Sequence, residues 1–177
     1  MTSLLYDAMA HHVWANDRLL EVCLGVTAEQ LEASVPGTYG PIIAAWHHLA
    51  MSDAWYLSFF GDVPATLPEG SRMPLPDLRA ALAANGTAWL ALLERGVDPD
   101  TDVPEEGDRW RFHAPAGMRL AQVVQHGNDH RSQICTILTT LGIEPPEIDL
   151  WAWAEATGRT RPEWLGEGPP PAPAPSP

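Results

Sequence analysis

A chain of 177 residues is long enough for one hydrophobic core and short for two, so we expect a single domain with a tail. Its formal net charge of −13, with only 10 Lys and Arg residues, argues against direct nucleic-acid binding, because neutralising phosphates requires clustered basic side chains. No stretch approaches the ~20 uninterrupted apolar residues that cross a bilayer, so we also expect no membrane partner.

The cysteines and the first residues indicate the compartment. Cys23 and Cys135 are too few for the disulfide framework of a small secreted protein. The stretch MTSLLYDAMA lacks the basic region and the long apolar region of a signal peptide. We therefore expect a cytoplasmic protein.

Apolar residues at helical spacing, separated by Pro- and Gly-rich stretches, predict an all-α chain with four long helices. The third helix should carry Asp77 in its first turn and end near Gly96. Almost every face of the second is apolar, so it should be the most buried. The other three predicted helices run from about Ser3 to Cys23, from Pro41 to Phe60 and from Met118 to Leu141.

The segments between and after these helices are expected to be less regular. A Pro-rich crossing from Val63 to Pro76 should join the second and third helices, and Val97 to Gly117 should form a loop or a small hairpin. A last short helix from Asp149 to Thr157 should pack Trp151 and Trp153 on the bundle. We expect the domain to span residues 1–160, with residues 161–177 as a Pro-rich disordered tail.

Two histidines of the fourth helix stand out by their spacing. His126 and His130 are i and i+4, so they differ by only ~40° in direction and share one helix face. His130 also shares a stripe with Val123 and Ile134, where a charged imidazole would be costly and a neutral, metal-ligating one would be satisfied. Such a pair alone is weak evidence, since two histidines that only make hydrogen bonds in a bundle interior would look the same.

A third ligand is needed, and the second helix offers His47 and His48. Adjacent helical positions point ~100° apart, so both cannot face the same site. Apolar residues flank each of them, and periodicity does not choose between the two.

Two stretches of the sequence resemble the DinB family. The family's first histidine precedes an apolar residue and has an acidic residue five positions on, which His48 and Asp53 match within IIAAWHHLAMSDAWYL. Its later pattern, H-x-x-x-H-R-x-Q followed by an apolar run, is matched within VVQHGNDHRSQICTILTTLG by His126, His130, Arg131 and Gln133. The opening HHVWANDRLL is similar to the family's first helix, so the resemblance covers roughly residues 5–142.

The resemblance implies a fold, a site and a chemistry. It implies an up-down-down-up four-helix bundle, often a homodimer, in which His48, His126 and His130 hold a divalent metal, usually zinc or nickel. Characterised members of the family are transferases or isomerases that use low-molecular-weight thiols such as mycothiol, bacillithiol or glutathione.

Three neutral imidazoles around a divalent ion leave a coordination position open for water or for a substrate thiol. Our first hypothesis is therefore a metal-dependent thiol S-transferase that acts on small electrophiles, with a mycothiol-dependent maleylpyruvate-type isomerase as its nearest variant. The alternatives are a stress-response bundle that binds a metal or a small molecule without turnover, and a hydrolase that activates water.

Other residues near the motifs admit two interpretations each. Asp53 could orient a ligand or be a solvated carboxylate, and Arg131 could hold a substrate carboxylate or form an ordinary ion pair, which we favour. We expect Trp55 and Tyr56 in the core. Cys135 should be a buried, inert thiol that points away from the ligand face.

Overall fold

The structure, a computed structural model, describes residues 3–61, 73–161, 163 and 165. Within these residues the chain forms six helices and one short hairpin, which confirms the all-α prediction. The helices are α1 (Leu4–Cys23), α2 (Ala28–Leu31), α3 (Ile42–Ser58), α4 (Leu75–Glu94), α5 (Ala116–Thr140) and α6 (Leu150–Ala156). The hairpin pairs β1 (Glu105–Glu106) with β2 (Arg111–Phe112) in antiparallel register.

Local capping explains where several helices begin and end. The Ser3 hydroxyl accepts the backbone N–H of Tyr6 at 3.1 Å and so caps α1. Gly142, at φ 74°, follows α5 in the left-handed conformation that glycine adopts without strain. The sequence suggested that Pro41 is the first helical residue of α3. In the structure it is the cap residue before the helix, because its ψ of 154° is extended.

One helix was missing from the sequence-based prediction. The single turn of α2 starts with a capping box, in which the Thr27 hydroxyl accepts from the backbone N–H of Gln30 and the Gln30 side chain accepts from the backbone N–H of Thr27. This one-turn helix is too short to show an apolar period, so it leaves no helical pattern in the sequence.

The four long helices form a bundle in which α1 and α3 each pack against both α4 and α5. One apolar cluster joins the C-terminal ends of α1 and α5 to the N-terminal ends of α3 and α4, as Leu20 and Ile137 meet Ile42 and Leu75. The other joins the opposite ends of the same helices. Thus α1 and α5 run one way and α3 and α4 the other, which confirms the up-down-down-up order.

A polar layer separates these two apolar clusters at the middle of the bundle. Its members are buried, and they occupy the middle turns of all four long helices: His12, Asn16, Asp53, Asn85 and Arg131. Asn85 donates from Nδ2 to the carbonyl of Ala50 at 3.0 Å. Polar groups at this depth are tolerated because they are hydrogen-bonded to one another or to the backbone.

Some predictions about burial were wrong. Trp153 is buried, but Trp151 is 76% exposed, since positions two apart on a helix point ~200° apart and cannot both face the bundle. Trp55 is 46% exposed, so α3 is not buried on every side. The reason is that α4 and α5 cover only two sectors of α3, and its apolar residues continue around the remaining sector.

Parts of two predictions lie outside the described residues. These are most of the Pro-rich crossing, at residues 62–72, and nearly all of the expected tail. The predicted boundary between the domain and the tail at residue 160 therefore stays a prediction. None of the helices in the described part of the chain is long and apolar enough to cross a membrane.

Candidate metal centre

Three histidine side chains from two helices meet at one end of the polar layer. The Nε2 atom of His126 lies 3.0 Å from Nε2 of His48 and 3.1 Å from Nε2 of His130. One ring nitrogen from each of the three residues lies within 4.8 Å of the others. The structure thus brings together the three side chains that the sequence and the family resemblance had singled out.

Helix geometry accounts for this convergence. His126 and His130 are one turn apart on α5, and α3 runs antiparallel to α5 with His48 facing them. His47 points elsewhere, since its Nε2 atom lies 3.0 Å from the carbonyl oxygen of Met73 and donates to it. The structure therefore places His48, and not His47, in the cluster.

The environment keeps the three imidazoles neutral. Burial lowers the pKa of His130 to about 4, and the neighbouring imidazoles of His126 and His48 act in the same direction. Burial also lowers the pKa of His48 and of His126, although for His126 the negative charges of Asp53 and Asp129 oppose the shift. A neutral imidazole is the form that binds metals.

The donor set fits a divalent ion. Nitrogen ligands ~2.0–2.1 Å from a tetrahedral ion lie roughly 3.3–3.4 Å apart, so the two close Nε2 pairs need to separate by only a few tenths of an ångström. Three nitrogens and no carboxylate also suit zinc or nickel better than magnesium or calcium, which prefer oxygen. The three histidines supply three ligand positions and leave the remainder of the shell to other groups.

An aromatic side chain that the sequence analysis did not single out covers one side of the cluster. The Tyr39 ring stacks on the His48 ring with centroids 4.4 Å apart and meets the His130 ring edge-on at 5.1 Å. The backbone N–H of Tyr39 donates to the side-chain oxygen of Gln133 at 2.7 Å. Gln133 had matched the family pattern, and this bond is the contact that it makes in the structure.

A buried hydrogen-bond network lies behind the histidine cluster. Arg131 directs Nη1 at Nδ1 of His12, 3.1 Å away, and donates to Oδ1 of Asn16 at 2.8 Å. On the far side of the His12 ring, Nε2 lies 3.1 Å from Oδ2 of Asp53. The network therefore ties α1, α3 and α5 together next to His130.

The partners fix the tautomer of His12. Arginine has no acceptor, so Nδ1 of His12 must accept the bond from Arg131, and the ring proton is on Nε2, where Asp53 accepts it. The amide nitrogen of Asn16 also lies 3.2 Å from Nε2, but a protonated Nε2 does not accept a bond from it. Asp53 is only 2% exposed, so it is not a solvated carboxylate. Among the described residues Arg131 bonds to His12 and Asn16 and forms no close ion pair, contrary to the interpretation that we favoured. Burial lowers the pKa of its guanidinium to about 10.

The roles of His12 and Asn16 were not predicted from the sequence, although one signal was present. Both occupy the apolar stripe of α1, where an unpaired polar side chain is costly, so a partner was implied. That partner comes from α5, more than a hundred positions away along the chain. Cys135 is half-buried, and burial raises the pKa of its thiol, in line with an inert cysteine.

The chain resembles a known protein family over nearly its whole length. The model of the DinB family matches residues 1–165. This span includes all three histidines of the cluster and every helix described above. No curated protein matches the chain.

Proposed function

The chain belongs to the DinB family, and from this premise we propose that it is a metal-dependent thiol S-transferase in which His48, His126 and His130 hold one divalent ion, zinc or nickel. The observation that carries the proposal is the convergence of three neutral imidazoles. The Nε2 atom of His126 lies 3.0 Å from Nε2 of His48 and 3.1 Å from Nε2 of His130. When bound, such an ion supplies Lewis acidity that keeps a thiol ionised near neutral pH.

The surface beside the cluster suits a small, apolar electrophile. On α3, Met51 and Trp55 follow His48 by one and two turns, and they are 40% and 46% exposed. On α5, Gln122 precedes His126 by one turn and lines a cavity of about 340 Å³. The walls of that cavity also include Phe112 and Met118, whose side chains offer apolar contact to a ligand, and the cavity begins one turn before His126 on α5.

The reaction that we propose joins the sulfur of a low-molecular-weight thiol to an electrophilic carbon. The histidines would bind the ion, and the apolar surface would orient the electrophile. As the sulfur loses its proton and bonds to carbon, either the bond from that carbon to a leaving group breaks and the leaving group takes the proton, or the π bond of an activated C=C breaks and the neighbouring carbon takes the proton. A thiol-dependent isomerase, such as the mycothiol-dependent maleylpyruvate type, would use the same groups and return the thiol at the end.

A cobalt-substituted sample tests this function directly. Adding a low-molecular-weight thiol should change the visible absorption of Co²⁺ as sulfur enters its coordination shell, and the thiol should then react faster with a model electrophile. The acceleration should be largest at mildly acidic pH, where the free thiolate is scarcest. His48→Ala should abolish both effects, and His47→Ala should retain them, because His47 bonds to Met73 instead of facing the cluster.

Two outcomes would point to other functions. A change in absorption without acceleration, over a panel of thiols and electrophiles, would favour a bundle that binds ligands without turnover. If no thiol changes the absorption, the thiol hypothesis fails and hydrolysis by activated water is the next reaction to test. We also propose that the protein is a homodimer and acts in the cytoplasm.

A further inference from the structure

The loop between α2 and α3 carries Tyr39 over the histidine cluster. The Tyr39 ring lies nearly parallel to the His48 ring, with 23° between the planes, and nearly perpendicular to the His130 ring, at 82°. One aromatic side chain therefore contacts imidazoles from both helices of the centre.

The loop holds this position through its own hydrogen bonds. Its base is closed by the backbone N–H of Ile42, which donates to the carbonyl of Ala33 at 3.2 Å. Within the loop, the hydroxyl of Thr38 donates to the carbonyl of Val35 at 2.9 Å. These bonds order the backbone on both sides of Tyr39, so the stacking geometry requires no further ordering of the chain.

Two glycines allow the tight path on either side of the tyrosine. Gly37 has φ 90° and Gly40 has φ 152°, values that side-chain-bearing residues rarely adopt. Between them, the N–H of Tyr39 is free to point at α5, where it donates to Gln133. Because Gln133 lies three residues after His130, this bond fastens the loop to the helix that carries two of the three histidines.

Hydrophobic burial does not explain the placement of the ring. Tyr39 is 53% exposed, so it removes little apolar surface from water. The covered part of the ring instead faces the imidazoles of His48 and His130. A side chain that restricts the rotation of a ligand ring holds the ligand atom in place and so reduces the entropy lost on metal binding.

We propose that Tyr39 is a positioning residue of the metal centre: its ring holds His48 in the ligating orientation and shields the side of His48 and His130, and Gln133 fastens the loop. The proposal rests on the metal binding proposed above. The ring carries the effect and the hydroxyl does not. Loss of the ring would leave His48 freer to rotate and would expose the side of the metal centre that Tyr39 covers, so that the ion could leave from that side.

Transfer of the bound metal to a coloured chelator tests the proposal in the full chain. Tyr39→Ala should speed transfer by about tenfold, in the range found when a partner that orients a ligand is removed. Tyr39→Phe should stay within about twofold of the wild type, because phenylalanine keeps the stacking face. The absorption of the Co²⁺ form should change in Tyr39→Ala and return in Tyr39→Phe.

The bond to Gln133 provides a second, independent pair of variants. Gln133→Ala removes the acceptor and should speed metal transfer, whereas Gln133→Glu retains a side-chain oxygen that can accept from the Tyr39 N–H. As a control, the helix content and the urea midpoint of each metal-free variant should match those of the wild type, which would show that the bundle is intact. A wild-type transfer rate in Gln133→Ala would mean that the bond does not fasten the loop.

The metal-free protein separates this inference from the proposed function. In its NMR spectrum the His48 ring protons should shift in Tyr39→Ala, where the ring current is lost, and stay near their wild-type positions in Tyr39→Phe. Unchanged His48 shifts in Tyr39→Ala, or metal transfer at the wild-type rate, would overturn the positioning role. A wild-type protein that binds no metal would refute the proposed function, and the positioning role with it, even with the ring shift present.

Discussion

The imidazole of His12 packs directly on the backbone of Gly127, so closely that a Cβ at position 127 would stand 2.3 Å from two of the ring atoms. The same Cβ would lie 2.9 Å from Nη1 of Arg131. Neither neighbour can move cheaply, because both belong to the buried network that joins α1 to α5. Gly127, which directly follows His126, therefore leaves the space in which His12 and Arg131 meet.

Gly127→Ala should destabilise the metal-free protein by about 1–3 kcal/mol, the usual cost of overpacking a core, despite the better helix propensity of alanine. It should also weaken metal binding, because relieving the clash displaces the turn of α5 that carries His126. Urea unfolding and metal titration measure the two effects. Asn128→Ala changes the next, exposed residue and should alter neither; equal behaviour of the two variants would contradict the close approach.

Asp53→Ala should cost about 3 kcal/mol, since it leaves the Nε2 proton of His12 unpaired and removes the nearby charge that balances Arg131. Asp53→Asn should cost less, because the amide oxygen still accepts from His12. The exposed carboxylate of Asp129 provides a control, as Asp129→Ala loses a surface hydrogen bond from Gln125 and no bond of the buried network. A loss no larger than that of the control would show that the network contributes little to stability.

His126→Ala and His130→Ala should each lose most of the bound metal and leave the helix content nearly unchanged. The two apolar clusters that join the helices contain neither histidine, so the bundle does not depend on the ion. Elemental analysis and circular dichroism on the same samples measure both properties. Full metal occupancy in either variant would exclude that residue as a ligand.

The pH dependence of stability should include a contribution from His11. Burial lowers the pKa of His11 below its usual 6.5, while the carbonyl of Ile148, which accepts from Nε2 at 2.8 Å, opposes the shift. Because the folded pKa is the lower one, the unfolded chain binds more protons as the pH falls through about 6.5, so folding becomes less favourable towards acid. The unfolding free energy should therefore fall between pH 7.5 and 5.

His11→Gln tests this contribution, since an amide can donate to Ile148 without titrating. The metal-free variant should lose less unfolding free energy between pH 7.5 and 5 than the wild type loses. Comparing the two proteins cancels the other histidines, which are present in both. Parallel pH profiles would show that His11 is not the source of the effect.

Some of the centre could be read from the sequence because it depends on local geometry. The i, i+4 spacing of His126 and His130 fixes their common face once α5 forms, and Gly142 ends that helix wherever the bundle places it. The family resemblance was also sufficient for the DinB assignment and for the up-down-down-up order of the helices. The choice of His48 over His47 came from that resemblance and not from periodicity.

The sequence by itself determined the four long helices and the pairing of His126 with His130, because hydrogen bonds and side-chain spacing between residues three or four apart decide these features. Only the tertiary structure decided which face of α3 turns towards α5, that His12 bridges Asp53 and Arg131, and that Tyr39 covers His48. Those relations depend on the rotation and depth of each helix in the bundle, which the packing of all the apolar side chains sets together. Residues far apart in sequence come into contact only once that packing is complete.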